Sequence, residues 1–381
     1  MIDFERFFAV PETFGAAGFH SAEPGVRAIF LGGPPYRGKE TRIFAWYGVP
    51  ERASAKTPVP GIILQHGGLG TAYAPWVGMW LKRGFAAIAI DMFGGVPDNR
   101  NGDFGGNTRP ISPRHEFSGP GYLDQFAEAD DPPKEQWPYH AVAGIISAHS
   151  FLASLDGVDA GRIGITGISW GGFAAELAAG FDRRLKFAAP VYGCGGFDSL
   201  RIVPRSLPAA KRGRWVELWD PNRHLAGVKT PFLWAGGTAD FFFDIFNWNN
   251  SSKLTLPPCR ALRIDMPHSQ RDGMNVPELL PFADAVVSGR EFPRLTDAVA
   301  DAAAGRLEAR WAFHEVRIRS AQLIATRASG CWNDALFRAQ EAHFDPAAGI
   351  VTGTLPEEWT AAYLNLEDED GCIYSSEVVF R

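Results

Sequence analysis

The 381-residue chain has only four cysteines, Cys194, Cys259, Cys331 and Cys372, far apart and without a Cys-x-x-Cys spacing. That argues against a disulfide framework and a thiolate zinc site, and reads as reduced or buried thiols. No apolar run reaches the length of a bilayer-spanning helix. The opening decapeptide, MIDFERFFAV, carries acidic residues where an export signal needs positive charge, so the expectation is a cytoplasmic protein without a membrane partner. There is no surplus of positive charge either. Lys and Arg number 37 against 43 Asp and Glu, a net charge of -6 with the signs mixed along the chain. Such a balance gives no electrostatic footprint for nucleic acid. Internal repeats and low-complexity segments are absent too, and no metal or other cofactor is implied.

The chain is long enough for one large domain and a smaller one. Its most informative stretch is Arg162 to Phe173, RIGITGISWGGF. A short β-branched run ends in Gly167-Ile168-Ser169-Trp170-Gly171, and a good helix former follows. Strand, sharp turn and helix in that order is the setting that makes Gly-x-Ser-x-Gly a nucleophile elbow. Ser169 is then expected in a strained turn with its hydroxyl exposed, and the flanking glycines remove Cβ atoms that would strike the adjoining strand and helix.

Apolar runs of strand length recur around the elbow: Thr41 to Tyr47, Pro60 to Gln65, Ala86 to Asp91, Phe187 to Tyr192, Pro231 to Ala235 and Arg260 to Asp265. Helical spacing between several of them predicts a mainly parallel sheet covered on both faces. Residues 1 to about 40 read as irregular. Met92 to Trp137, rich in Gly, Pro, Asn and Asp, reads as a functional loop, since so long a structureless connection is unusual otherwise. Residues 197–228 read as an inserted cap. With the Gly193-Cys194-Gly195-Gly196 turn and the long loop, the cap is expected to frame a substrate pocket, with Trp170, Trp215 and Trp219 as its aromatic wall and Cys194 beside them.

The pattern changes near residue 293. Leu295 to Leu307 reads as a short helix or linker. Beyond it, Trp311 to Val316, Ser320 to Thr326, Ala335 to Ala342, Ile350 to Leu355, Ala361 to Asn365 and Cys372 to Phe380 are short runs separated by turn signals. They predict a small antiparallel β-sandwich at 294–381, after a catalytic domain at 1–293, packed against that domain or a neighbouring subunit. Asp370-Gly371 reads as a hairpin turn rather than a calcium loop.

A serine hydroxyl needs a base and an orienting acid to attack at neutral pH. In chains with this elbow, the acid and then the histidine follow on later strand ends. Asp240 and His268 occupy those positions. Asp244 is the rival acid, farther from the strand end. His66, upstream of the serine, reads as a residue that holds its own loop, and His115, His140, His149 and His224 read as structural. Two donors are needed for the oxyanion: the backbone N–H of Trp170, and one from His66 to Gly70, with Gly68 favoured and Leu69 the alternative. Neither glycine-rich stretch fits a dinucleotide fingerprint.

GIILQHGGLGTAYAPWVGMWLKRGFAAIAID, QWPYHAVAGIISAHSFLASLDGVDAGRIGITGISWGGF, FLWAGGTADFFF and MPHS together resemble bacterial α/β-hydrolases of the acetyl xylan esterase and dienelactone hydrolase-like group, over roughly residues 25 to 290. The resemblance implies Ser169 as nucleophile, Asp240 as acid, His268 as base and an oxyanion loop after His66. It implies a small-molecule or carbohydrate ester as substrate, often an acetylated sugar. Leu69 stands where relatives often continue with glycine, and Ser169 argues against dienelactone hydrolases proper, which tend to use cysteine. The C-terminal sandwich is similar to that of the PhoPQ-activated pathogenicity-related group. The expectation is therefore a serine carboxylesterase. The alternatives are a prolyl-oligopeptidase-type peptidase, although the segment before the first hydrolase strand is short for a propeller, and a non-catalytic glycan-binding protein on the same scaffold.

Overall fold

A computed structural model describes residues 2–98, 112–204, 206–255, 257–313, 315–328, 330 and 332–381. Residues 99–111 of the long loop, and Cys331, lie outside the described residues.

The first sheet has nine strands: β1 (Thr13–Gly15), β2 (Arg27–Gly32), β3 (Arg42–Gly48), β4 (Val59–Gln65), β5 (Ala86–Ile90), β6 (Val158–Ile168), β7 (Ala188–Val191), β8 (Leu233–Ala239) and β9 (Cys259–Pro267). They lie in the order β1-β2-β3-β5-β4-β6-β7-β8-β9, antiparallel from β1 through β5 and parallel from β5 to β9. Its helices are α1 (Ala74–Arg83), α2 (Trp137–Ala153), α3 (Trp170–Phe181), α4 (Ala209–Trp219), α5 (Ile245–Ser252), α6 (Gln270–Met274) and α7 (Leu279–Val287). The N-terminal segment read as irregular supplies two antiparallel strands instead. Their short runs between glycines hide the strand period.

The central strands are apolar along their length because both faces are covered; all five residues of β5 are buried. Helix α1 stops where Gly84 takes a left-handed conformation, φ 92°, just after Lys82 and Arg83. Helix α2 is buried nearly all round, because the N-terminus covers its outer side. There Phe4 stacks on Tyr139 at 4.9 Å between ring centroids, and Ser150 Oγ donates to the carbonyl of Phe7.

Beyond the nine-stranded sheet lie β10 (Leu295–Asp301), β11 (Arg306–Trp311), β12 (Ile318–Thr326), β13 (Arg338–Glu341), β14 (His343–Asp345), β15 (Ile350–Thr354), β16 (Ala361–Asp368), β17 (Ile373–Ser375) and β18 (Val379–Phe380). They form two antiparallel sheets, β10-β11-β15-β14 and β13-β12-β16-β17, with β18 also on β16. The sheets face each other closely: a Cβ at Gly353 would stand 2.5 Å from Leu323 Cδ1. Leu295 to Asp301 is a strand rather than the expected helix or linker, and the strand near Trp311 ends there instead of beginning there. Asp370-Gly371 is the expected hairpin turn, with Gly371 at φ 82°.

The sandwich covers β9, the edge of the nine-stranded sheet. Leu262 N–H donates to Ser375 Oγ at 2.8 Å, and Asn365 Nδ2 donates to the carbonyl of Leu262 at 3.1 Å. Asn249 clamps the main chain of Val378 from both sides, accepting its N–H and donating to its carbonyl. An uncovered edge would present unpaired donors and acceptors to other chains. Here both main-chain groups of Leu262 are satisfied from within.

Candidate active site

The elbow joins β6 to α3. Ser169 adopts φ 59° and ψ −118°, a conformation an L-residue rarely holds. Its N–H donates to the carbonyl of Val191 at 2.9 Å, and its carbonyl accepts from Phe173 N–H at 2.9 Å. The flanking glycines are a steric requirement. A Cβ on Gly167 would lie 2.1 Å from the carbonyl oxygen of Gly171, and one on Gly171 would lie 2.2 Å from that of Gln65. The turn therefore closes against both its own helix and β4.

Trp170 opens α3, so its backbone N–H has no acceptor within the helix and stands at the positive end of the dipole. Gly68 lies against the same residue: a Cβ there would meet Trp170 Cδ1 at 2.8 Å and Tyr122 Cε2 at 2.7 Å. Gly67 is nearer the serine, its missing Cβ position 3.5 Å from Ser169 Cβ, but its N–H is committed to Gln270 Oε1 at 3.0 Å. Leu69, the alternative donor, is held at φ 62° with an exposed side chain.

His66 anchors this loop from below. Its Nδ1 donates to the carbonyl of Gly67 at 2.7 Å and its Nε2 accepts from Met92 N–H at 3.2 Å. Those bonds fix a neutral tautomer, and burial pushes the imidazole below its usual range despite the nearby Asp91 carboxylate. Asp91 Oδ2 accepts from Thr71 Oγ1, and its Oδ1 from the N–H groups of Phe93 and Gly95.

Asp240 and His268 follow β8 and β9. His268 Nδ1 lies 2.8 Å from Asp240 Oδ2, while Asp240 Oδ1 accepts from the N–H groups of Phe242 and Phe243. Asp244 is occupied elsewhere: it caps α5, accepting from the N–H groups of Phe246 and Asn247. The imidazole is walled by Tyr192, 4.5 Å between centroids, and by a stacked Phe243 at 6.0 Å. Tyr192 is itself held at φ 66°, with its hydroxyl donating to the carbonyl of Pro267 at 2.7 Å. Gln270, two residues past His268, reaches the Gly67 amide beside the serine. This contact ties the histidine segment to the glycine loop that lies beside Ser169.

Trp215, Trp219 and Cys194, expected on the pocket wall, are core residues. Trp215 stacks on Phe173 at 5.7 Å and donates its Nε1–H to the carbonyl of Gln125. Trp219 donates to Gln136 Oε1. The cap segment turns both indoles inward, Trp215 onto Phe173 of α3 and Phe197. The Trp170 indole is likewise enclosed, by Trp137, Phe126, Phe173 and Phe197. Cys194 has no exposed surface, and burial pushes its thiol well up, with the carboxylates of Glu176 and Asp244 adding to the effect. Tyr122, Tyr192, Gln270 and the Asn333 contact described below escape sequence reading. Only Gln270 leaves a hint, by its nearness to His268.

Cavities of about 980 Å³ and 1040 Å³ open on the sandwich and at its junction with α7, away from the elbow. Among the described residues, no cluster of three His, Cys, Asp or Glu side chains is placed to hold a metal ion, and no helix is long and apolar enough to cross a membrane.

Sheet order, covering helices and the strained serine turn define an α/β-hydrolase with a C-terminal β-sandwich. Residues 35–196 match the acetyl xylan esterase (AXE1) family, and the chain resembles that group. Among solved structures it is similar to the acetyl xylan esterase of Paenibacillus sp. R4, with 21% identity, a TM-score of 0.53, and coverage of 74% of this chain and 92% of that one. It is also similar to a puromycin-hydrolyzing peptidase of Mycobacterium tuberculosis, with 18% identity, a TM-score of 0.51, and coverage of 71% and 41%. At these identities the two structures speak for the fold alone. A comparison with curated proteins gives no match. With the family match, the chain is an enzyme of the serine hydrolase class acting on carboxylic esters.

Proposed function

We propose that the protein hydrolyses short-chain acyl esters, above all acetyl esters, through an acyl-enzyme on Ser169, with acetylated sugars as one substrate class. The observation that carries this reading is the Asp240–His268 contact on the loops after β8 and β9, with Gln270 linking that segment to the glycine loop after β4 beside Ser169. His268 accepts the Ser169 hydroxyl proton at Nε2 while Asp240 holds Nδ1–H, and Ser169 Oγ bonds to the ester carbonyl carbon. The oxyanion is received by the N–H groups of Gly68 and Trp170, each such donor being worth about 3 kcal/mol in the transition state. Collapse expels the alcohol, which takes the proton from His268. Water, deprotonated by the same histidine, then attacks the acyl-enzyme and releases the acid and Ser169.

The test is the purified full chain and Ser169→Ala on p-nitrophenyl esters of increasing acyl length, with acetylated xylan and a peptide p-nitroanilide alongside. The expected result is fastest turnover of acetate and a loss of several orders of magnitude in kcat in the variant, with folding unchanged. Full activity in Ser169→Ala, or no ester turnover by the wild type, would overturn the reading. Preference for the anilide would favour a peptidase.

A further inference from the structure

The sandwich reaches the candidate site directly. Between β12 and β13 the chain makes a 3-10 turn, Trp332–Asp334, which packs against β8 and α5 of the hydrolase part. Its middle residue donates: Asn333 Nδ2 lies 3.2 Å from the backbone carbonyl oxygen of Asp240. We infer that Asn333 is a positioning residue for the acid of the proposed triad, and that the C-terminal sandwich therefore completes the active site instead of merely packing behind it. The inference rests on the catalytic roles proposed above.

The peptide that joins Asp240 to Phe241 carries two groups that meet His268. One is the Asp240 carboxylate on Nδ1. The other is Phe241, whose ring lies 5.6 Å from the imidazole with about half its surface exposed. The rest of the acid loop is held from inside: Asp240 N–H reaches the carbonyl of Gly237, and Oδ1 takes the two following amides. The Asp240 carbonyl is met from the sandwich side by Asn333. A donor there fixes the rotation of the peptide, and with it the angle at which the carboxylate presents Oδ2.

The turn is braced enough to serve as a strut. Asp334 forms an ion pair with Arg201, from the segment after β7. The Trp332 ring lies 5.0 Å from Phe380, which also packs on Phe246 of α5 at 5.2 Å. The turn thus ties the loops after β7 and β8 together at the carboxyl end of the strands, where sites of parallel sheets lie. The sandwich cannot drift under it, because Asn249, Asn365 and Ser375 lock it to the hydrolase part.

The test uses the full chain with p-nitrophenyl acetate as probe. Asn333→Ala is expected to lower kcat roughly tenfold at unchanged KM, since small misplacements of a catalytic group cost rate rather than binding. The acidic limb of the kcat/KM profile should move as the contact at His268 Nδ1 loosens, and Asn333→Gln should restore part of the rate. A merely structural role would lower the thermal midpoint and the fraction of active enzyme, leaving the profile unchanged. Asp334→Ala, which removes the ion pair while leaving the amide, is the second variant, with a smaller change in the same direction. The downfield proton resonance of the His268–Asp240 contact supplies a readout that needs no substrate and should shift in Asn333→Ala. Absence of ester turnover in the wild type would sink the proposed function while this resonance still decides the role of Asn333. Wild-type kcat, profile and resonance in both variants would overturn the inference.

Discussion

Gly67 donates its amide N–H to Gln270 Oε1 at 3.0 Å, a bond between residues 203 positions apart in the chain. It ties the glycine loop after β4 to the first residue of α6, two positions beyond His268. One amide of the loop is thereby committed, and the next residue, Gly68, lies against Trp170.

Removing that tie should disturb the proposed oxyanion site without emptying the core. Gln270→Ala is expected to lower kcat for p-nitrophenyl acetate by roughly tenfold, through loop misplacement, with little change in KM. Gln270→Glu, which keeps an acceptor for Gly67 N–H, should retain more of the rate. Steady-state kinetics on the two variants checks this, and equal losses in both would show that the hydrogen bond is not what matters.

The elbow makes a steric prediction. Gly171→Ala would put a methyl group 2.2 Å from the Gln65 carbonyl oxygen, which belongs to a central strand and cannot move aside. Overpacking of this kind costs about 2 kcal/mol or more. Urea unfolding should show a lowered midpoint, and the surviving folded enzyme should lose rate because α3 and the Trp170 N–H are pushed off the sheet. By contrast, Gly213→Ala on α4, where a Cβ meets nothing within 4 Å, should leave the midpoint unchanged or raise it.

How much of this was legible in the sequence depended on how local the physics is. The elbow was, because strand, Gly-x-Ser-x-Gly and helix are contiguous and each glycine answers a clash within a few residues or with the neighbouring strand. The pairing of His268 with Asp240 rather than Asp244 followed strand-end position, and the structure gives Asp244 another task, capping α5. The aromatic wall was not legible. Trp215 packs on Phe173 of α3 and Trp219 is buried against Gln136, and nothing in an indole's sequence neighbourhood tells a core from a pocket. The strand Leu295–Asp301 is hidden in the sequence because its polar residues mask alternation. Gln270 and Asn333 act across 203 and 93 residues, through single side-chain amides that carry no pattern at all.

A buried ionic cluster behind α3 predicts the acid limb of stability. Burial alone would push the Asp182 carboxyl up. Hydrogen bonds from His149, at 3.0 Å, and from Arg184 outweigh it and hold the carboxyl well below the ordinary aspartate range. A depressed carboxyl contributes stability that is present above its unfolded value, near pH 4, and is lost as pH falls through and below that point. Asp182→Asn should destabilise the protein at pH 7 by about 3 kcal/mol, because it leaves Arg184 without its charge partner and the buried His149 without its carboxylate acceptor. Denaturant midpoints measured down to pH 3 should fall less steeply in the variant than in the wild type.

Glu176 acts with the opposite sign. It sits two turns into α3, wholly buried, with neither carboxylate oxygen hydrogen-bonded among the described residues, and burial raises it well above the usual range, with Asp220 adding repulsion. The folded protein therefore keeps a proton there that the unfolded chain releases above about pH 4.3. By linkage, this group's contribution to stability is fullest below that value and declines steadily as the pH rises toward the folded-state value. Glu176→Gln retains the shape and removes the ionisation. The variant should match the wild type near pH 4 and exceed it increasingly at pH 7 and 8 in urea midpoints. A variant less stable than wild type at pH 8 would mean that the carboxylate is ionised and held by a partner in the folded state.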